Sequence, residues 1–273
     1  MWVAIPLLRA SHPEPAAGVT AVAVLLSVGL DRPLGGVISA GAAVLASQLS
    51  IGWVNDALDA ERDAAAGRSD KPVAAGKVSR RLVAVLGAVA AVVCVPLGFL
   101  SGWAAGLVSA LALASALLYD WPLKSTVASV VPYAVSFTCL PAFIVLGAGK
   151  TPPLWLLAAG GLLGAGAHFV NTLPDLDADD RAGVRGLPQR LGRRGSLAAA
   201  AVLLPAATAA LAFGPPGPPP VLFWPALGVS LIALSWGWYR MSRDTTSRAP
   251  FLAVIAVALI DVVFLLISGL NLD

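Results

Sequence analysis

Nine runs of predominantly apolar residues recur along the chain, near residues 16–30, 35–55, 82–100, 103–119, 127–148, 153–171, 197–213, 221–239 and 250–270, with short polar breaks between them. Each is close to the ~20 residues that an α-helix needs to cross a bilayer. In hydrocarbon every backbone N–H and C=O has to be paired within the element itself, so helices are the form such runs take. The expected fold is therefore an all-α membrane protein of about nine transmembrane helices, forming one domain over residues 1–273. The chain is 58% hydrophobic and only 12% charged, about half the charge of an ordinary soluble domain. Its many Ala and Gly residues suit close helix packing in lipid. The first run has the shortest apolar core, and Pro13 and Pro15 bar its extension towards Met1, so a kinked or partly interfacial start is expected there. Gly214–Pro220, reading GPPGPPP, must be a turn.

The cations assign an orientation. When successive loops are placed on alternating sides, only Arg32 and Lys150 of the 18 Lys and Arg fall on the second side. Basic residues concentrate in cytoplasmic loops, so the N-terminus is expected in the cytoplasm and the C-terminus outside, in the plasma membrane. The net charge of +3 is accounted for by this asymmetry and implies no nucleic-acid partner. Cys94 and Cys139 lie within apolar runs and are expected to pack rather than react. Met1–Leu8 lacks the basic start of a cleavable signal peptide. Of the 15 acidic residues, all but Asp31, Asp261 and Asp273 lie on the cytoplasmic side. Acidic residues contribute little to topology, so their crowding needs another cause.

Two clusters supply one. The second run leads into Asn55-Asp56-Ala57-Leu58-Asp59-Ala60-Glu61-Arg62-Asp63. On a continuing helix Asn55, Asp59 and Asp63 share one face, with Asp56 beside them, and like charges so spaced repel unless a cation joins them. The sixth run ends in Asn171-Thr172-Leu173-Pro174-Asp175-Leu176-Asp177-Ala178-Asp179-Asp180, where Asp175 and Asp179 repeat the spacing of four. Paired acidic sites on one side suit magnesium, which takes one or two carboxylates and completes its shell with water and phosphate oxygens. Basic residues follow each cluster: Arg68 and Lys71 the first, Arg185 and Arg190 the second, with Lys124 alone in the short Tyr119-Asp120-Trp121-Pro122-Leu123-Lys124 loop. Such cations stabilise a departing diphosphate, although each can equally be a topology-setting charge.

NDALDAERD and NTLPDLDAD resemble the two signatures of the UbiA superfamily of intramembrane prenyltransferases, NDxxDxxxD and a DxxxD-type run. The similarity extends to RSDKPVAAGKVS after the first motif, YDWPLK, and GVRGLPQRLG after the second, and so to essentially the whole chain. The second motif departs in opening with Asn171 and in carrying Pro174 where a basic residue is frequent. The resemblance implies a helix bundle around a central cavity open to lipid, with the acidic motifs at its cytoplasmic mouth. It implies magnesium as cofactor, and a prenyl diphosphate ionised and captured by a small aromatic or lipophilic acceptor, as in quinone or prenyl-lipid biosynthesis. Asp59, Asp63, Asp175 and Asp179 would be linked to the metal, partly through diphosphate and water. Lys124 would act with them in catalysis, and Asn55, Asp56, Arg68, Lys71, Tyr119, Asn171 and Arg185 would bind substrate. The other readings are a terpene cyclase of the same superfamily, a phosphoribosyl transferase acting on a lipid phosphate, and a cation transporter.

Three residues stand apart. His12 lies at the cytoplasmic start of the first run and reads either as an interfacial histidine or as a group orienting substrate. His168 precedes Asn171 by three residues, facing nearly the same way one turn deeper, where it could touch substrate or accept a proton. Asp261 falls in the middle of VALIDVVFLL. A carboxyl there has to face the bundle interior, paired or protonated, as an acceptor contact in a cavity or as a bond to a neighbouring helix.

Overall fold

A computed structural model describes residues 4–268. Among them there is no strand, and every one of the nine apolar runs is helical. In chain order the helices are α1 (Ala4–Ala10), α2 (Pro13–Gly29), α3 (Leu34–Ala65), α4 (Arg80–Phe99), α5 (Trp103–Asp120), α6 (Val130–Gly147), α7 (Leu154–Thr172), α8 (Leu176–Arg181), α9 (Leu187–Phe213), α10 (Phe223–Arg243) and α11 (Ala249–Ser268). Seven segments are long and apolar enough to cross a membrane: α3, α4, α5, the stretch leading into and including α6, the stretch from α7 through α8, α9 and α11. The 17-residue α2 is apolar but shorter, and α10, whose last turn holds Arg240 and Arg243, is not among the seven. The expected termini of the topology, Met1–Val3 and residues 269–273, lie outside the described residues.

The first run has a physical interruption. Pro13 occupies the first turn of α2, where its missing N–H costs nothing. The preceding His12 sits in the left-handed region at φ 54°, so α1 and α2 meet at an elbow. Trp53 Nε1 of α3 donates to the Leu7 carbonyl at 3.0 Å and ties α1 down. Gly52 lies beneath the elbow, and a Cβ there would overlap the Ser11 carbonyl.

Helices consecutive in the chain pack side by side, and α11 returns against α2 to close the ring. Glycine sets the spacing of the α6–α7 crossing, because a Cβ on Gly164 would stand 2.6 Å from the Tyr133 carbonyl. Large apolar side chains, including Val92, Trp103, Leu154 and Trp224, are exposed on the outer surface, as a lipid-facing exterior requires. Inside the ring lies a cavity of about 1150 Å³, lined by α2, α3, α5, α6, α7, α9 and α11 but not by α4 or α10.

Candidate active site

Helix length sets the position of the first acidic cluster. The 32 residues of α3 extend roughly 48 Å at 1.5 Å per residue, well beyond a hydrocarbon core of about 30 Å. The helix continues unbroken through Asn55–Asp63, so Asn55, Asp59 and Asp63 face the cavity together, and all three line it. Past Ala65 the chain reverses. Arg68 N–H bonds the Asp63 carbonyl at 3.0 Å, and Gly67 adopts φ 70°, a helix stop that few side chains tolerate. This reversal lays Arg68 across the mouth.

The second cluster is built differently. α7 ends at Thr172, a single 3₁₀ turn holds Leu173–Asp175, and the short α8 carries Asp177 and Asp179. Pro174 cannot donate the backbone bond that would continue α7. Asp175 and Asp179 thus follow one another across a helix break, yet both line the same cavity.

Cations interleave the carboxylates. Arg68 Nη1 donates to Asp175 Oδ1 at 2.8 Å, joining the two motifs, while its Nε and Nη2 hold Asp70 at 2.9 Å. This fork keeps the Asp70 carboxyl below its ordinary value and the guanidinium firmly charged. Asp59 accepts from Lys124 and forms an ion pair with Arg62 at 2.6 Å. Asp56 is 1% exposed and does not line the cavity. It anchors Lys71 at 2.8 Å and His12 at 3.3 Å. His12 Nε2 also lies 3.3 Å from Lys71 Nζ, so it donates to Asp56 or accepts from Lys71 according to tautomer. Burial, helped by Lys71 and opposed by Asp56, lowers the His12 pKa and keeps the ring neutral.

Several expected site residues have other partners here. Asn55 Nδ2 donates to Asp120 at 3.0 Å, and Asn171 Nδ2 donates to the Tyr133 hydroxyl at 3.0 Å. Tyr119, Tyr133 and Phe137 line the cavity below the mouth, with the first two edge to face at 5.0 Å. His168 is 1% exposed and is not among the cavity-lining residues. Its Nε2 lies 3.0 Å from the Ser129 hydroxyl, which accepts from Leu187 N–H, so this histidine fastens the start of α9. Arg185 and Arg190 are exposed away from the cavity, and Arg190 caps the Arg185 carbonyl at 2.9 Å. Asp261 lines the cavity and also accepts from Thr208 at 3.1 Å, which joins the two readings of it. Sequence reasoning missed Asp120, Tyr133 and Gln189, whose Nε2 holds Asp179 at 2.8 Å. Asp120 and Gln189 had a signal, their places in the YDWPLK and GVRGLPQRLG segments.

Among the described residues no three His, Cys, Asp or Glu side chains are grouped so as to hold a metal by themselves. Carboxylates held apart on two walls of one mouth fit a hard cation whose remaining ligands are water and phosphate oxygens.

The family model of the UbiA prenyltransferase family matches residues 16–264. The chain belongs to this family. It is a multi-pass membrane protein of a prenyl-transferring enzyme class. Over 203 residues it is 29% identical to a digeranylgeranylglyceryl phosphate synthase of Natronomonas pharaonis, with 72% of each chain covered. A UbiA homologue from Archaeoglobus fulgidus, solved bound to DMAPP and Mg2+, has a TM-score of 0.76 at 16% identity, covering 97% of this chain and 98% of the other. The apo UbiA homologue from Aeropyrum pernix K1 gives 0.70 at 22% identity, covering 93% and 98%. The likeness to these two structures is one of fold.

Proposed function

We propose that this protein transfers a prenyl group from an allylic diphosphate to a small lipophilic acceptor and releases diphosphate. The observation that carries the reading is the convergence of two acidic motifs and of Lys and Arg from separate elements on one mouth of a cavity whose deeper walls are apolar. Asp59, Asp63, Asp175 and Asp179 would hold magnesium jointly with the diphosphate, and the metal would supply neutralising charge to the leaving group. Lys124 and Arg62, paired with Asp59, and Arg68, paired with Asp175, stand where they can exchange a carboxylate for a phosphate oxygen. No protein nucleophile is required. The allylic cation is left beside the rings of Tyr119, Tyr133 and Phe137, aromatic groups able to attract positive charge, and the apolar walls keep water from it. The relative named as a glyceryl-phosphate lipid synthase favours a lipophilic acceptor over a soluble one. The distribution of Lys and Arg favours a mouth open to the cytoplasm, in one domain spanning the chain.

The test is purified protein with magnesium and a series of allylic diphosphates, with and without lipophilic and aromatic acceptors, following diphosphate and lipid products. Acceptor-dependent turnover is expected. Release without acceptor would turn the reading to a cyclase, and turnover of phosphoribosyl diphosphate alone would overturn it.

A further inference from the structure

The α1–α2 elbow brings to the mouth an imidazole that the diphosphate chemistry leaves unused. His12 borders the cavity with its side chain 25% exposed, and its Nε2 lies 3.3 Å from Asp56 Oδ1. Its Nδ1 has no hydrogen-bond partner among the described residues and, unlike Asp56 Oδ2, is not sealed from the surface. Asp56 stands three residues before Asp59 on α3, about 4.5 Å further from the mouth at 1.5 Å per residue. One turn further still, the Ser11 carbonyl rests on Gly52. His12 is therefore held just deeper than the carboxylates assigned to magnesium and diphosphate. The allylic carbon, one bond from a diphosphate oxygen, has to come to the same level.

The partners of Nε2 decide which ring nitrogen carries the proton. Asp56 is 1% exposed, its Oδ2 has no partner among the described residues, and its Oδ1 has only Lys71 at 2.8 Å and His12. Were Nε2 to accept from Lys71 instead, this buried carboxylate would keep a single donor, and an under-bonded buried charge is costly. Lys71 loses little by the other choice, since it borders the cavity and has further protons to give. Nε2–H therefore donates to Asp56, and Nδ1 presents a lone pair. The charged groups around the ring are Asp56 of α3, Lys71 of the α3–α4 loop, Arg248 ahead of α11, and Glu14 of α2, which lies 3.9 Å from Arg248. We infer that His12 is the proton acceptor of the transfer step, with Asp56 as the positioning residue that fixes its tautomer. As the bond from the allylic carbon to the diphosphate oxygen breaks, its electron pair leaves with the phosphate. The acceptor's attacking atom bonds that carbon and releases its proton to Nδ1, and His12 passes it to water at the mouth. The inference rests on reading the cavity as a prenyl-transfer chamber. It adds that the acceptor comes in against the α1–α2 elbow.

The chain has 2 histidines, so the state of this ring is directly observable. Full-length protein in detergent, its histidines labelled with nitrogen-15, should show His12 at neutral pH as the Nε2–H tautomer with a bare, pyridine-like Nδ1. The signals that vanish in His12→Gln identify it. Asp56→Asn, whose amide can turn its NH2 towards Nε2, should move the ring towards the Nδ1–H tautomer. Turnover is followed with magnesium, geranyl diphosphate and two hydroxyl-bearing acceptors, 1-naphthol and a glycerol phosphate monoether. His12→Gly, which suits the left-handed backbone at φ 54°, should lower the kcat of transfer about a hundredfold with geranyl diphosphate affinity kept, and added imidazole should recover part of the loss. His12→Gln keeps an N–H for Asp56 but has no base, and should lose as much. A protonated Nδ1 in the wild type, a His12→Gln variant as active as the wild type, or a loss confined to geranyl diphosphate affinity overturns the inference. If His12→Gly does not fold, the tautomer and the Gln variant decide. A wild type that binds geranyl diphosphate but prenylates neither acceptor counts against the proposed function, and the tautomer then decides on His12.

Discussion

The two acidic motifs share one mouth but are built on different supports. The first lies on an unbroken helix, its Asp56, Asp59 and Asp63 are all buried, and Asp56 and Asp59 are engaged by His12, Lys71, Lys124 and Arg62. The second spans a helix break, its Asp175 side chain is 40% exposed, and its carboxylates are held by single groups, Arg68 on Asp175, Gln189 on Asp179 and, at 3.7 Å, Arg193 on Asp177. A carboxylate on a rigid, packed helix keeps its position whether or not substrate is present. One on a short helix behind a proline is placed by the groups that hold it. The first motif therefore acts as the fixed half of the site and the second as the adjustable half, so equal substitutions should have unequal consequences.

The largest effect should come from Asp59→Ala, which removes a carboxylate and frees two cations, and should lower kcat/KM by about a thousandfold in a diphosphate-release assay. Asp175→Ala should cost about a hundredfold. In a double-mutant cycle with Arg68→Ala the losses should fall short of additive, since the pair is in contact. Equal losses at Asp59 and Asp175 would remove the distinction between fixed and adjustable halves. Gly52→Ala strains the first motif from behind by pressing on the Ser11–His12 elbow. It should lower stability by about 1–3 kcal/mol in thermal unfolding while changing activity less than either aspartate variant. Gln189→Ala should raise KM for the diphosphate only about threefold, with kcat nearly kept, and an unchanged KM would show that Asp179 needs no support. The smallest effect is one of pH. The folded chain holds the His12 pKa below 6.5, so its share of stability is intact above about 6.5 and is lost on acidification, as the unfolded chain takes up the proton first. His12→Gln should flatten that part of the stability profile.

The outline of the bundle was legible because hydropathy acts over a single helix: all nine apolar runs became helices. The i, i+4 spacing of Asn55, Asp59 and Asp63 was legible for the same reason, since one continuous helix carries them. Where contacts cross the chain, pattern reading failed. Nothing local to Asn55 predicts that its amide turns to Asp120, or that Asn171 turns to Tyr133, because those partners meet only once α3 packs near α5 and α7 against α6. His168 shares a helix face with Asn171, yet it is drawn behind the cavity wall by Ser129, a residue 39 positions away. Pro174 announced a break but not its result, which is that the second motif is divided between a 3₁₀ turn and α8.

The start of α9 bears on how this mouth can work. Helical backbone fails at Gly192, where φ is 67° and ψ −179°, so α9 is a stub carrying Gln189 joined by a sharp kink to a membrane-crossing rod. The stub is tied down by the Ser129 hydroxyl, which accepts from Leu187 N–H, and across the kink by the Ser196 hydroxyl, which donates to the Pro188 carbonyl, so Gln189 meets Asp179 from a held position. One kink in this way lets a single helix serve two levels of the cavity, with Gln189 behind the rim and Ala207 and Leu211 in the wall below.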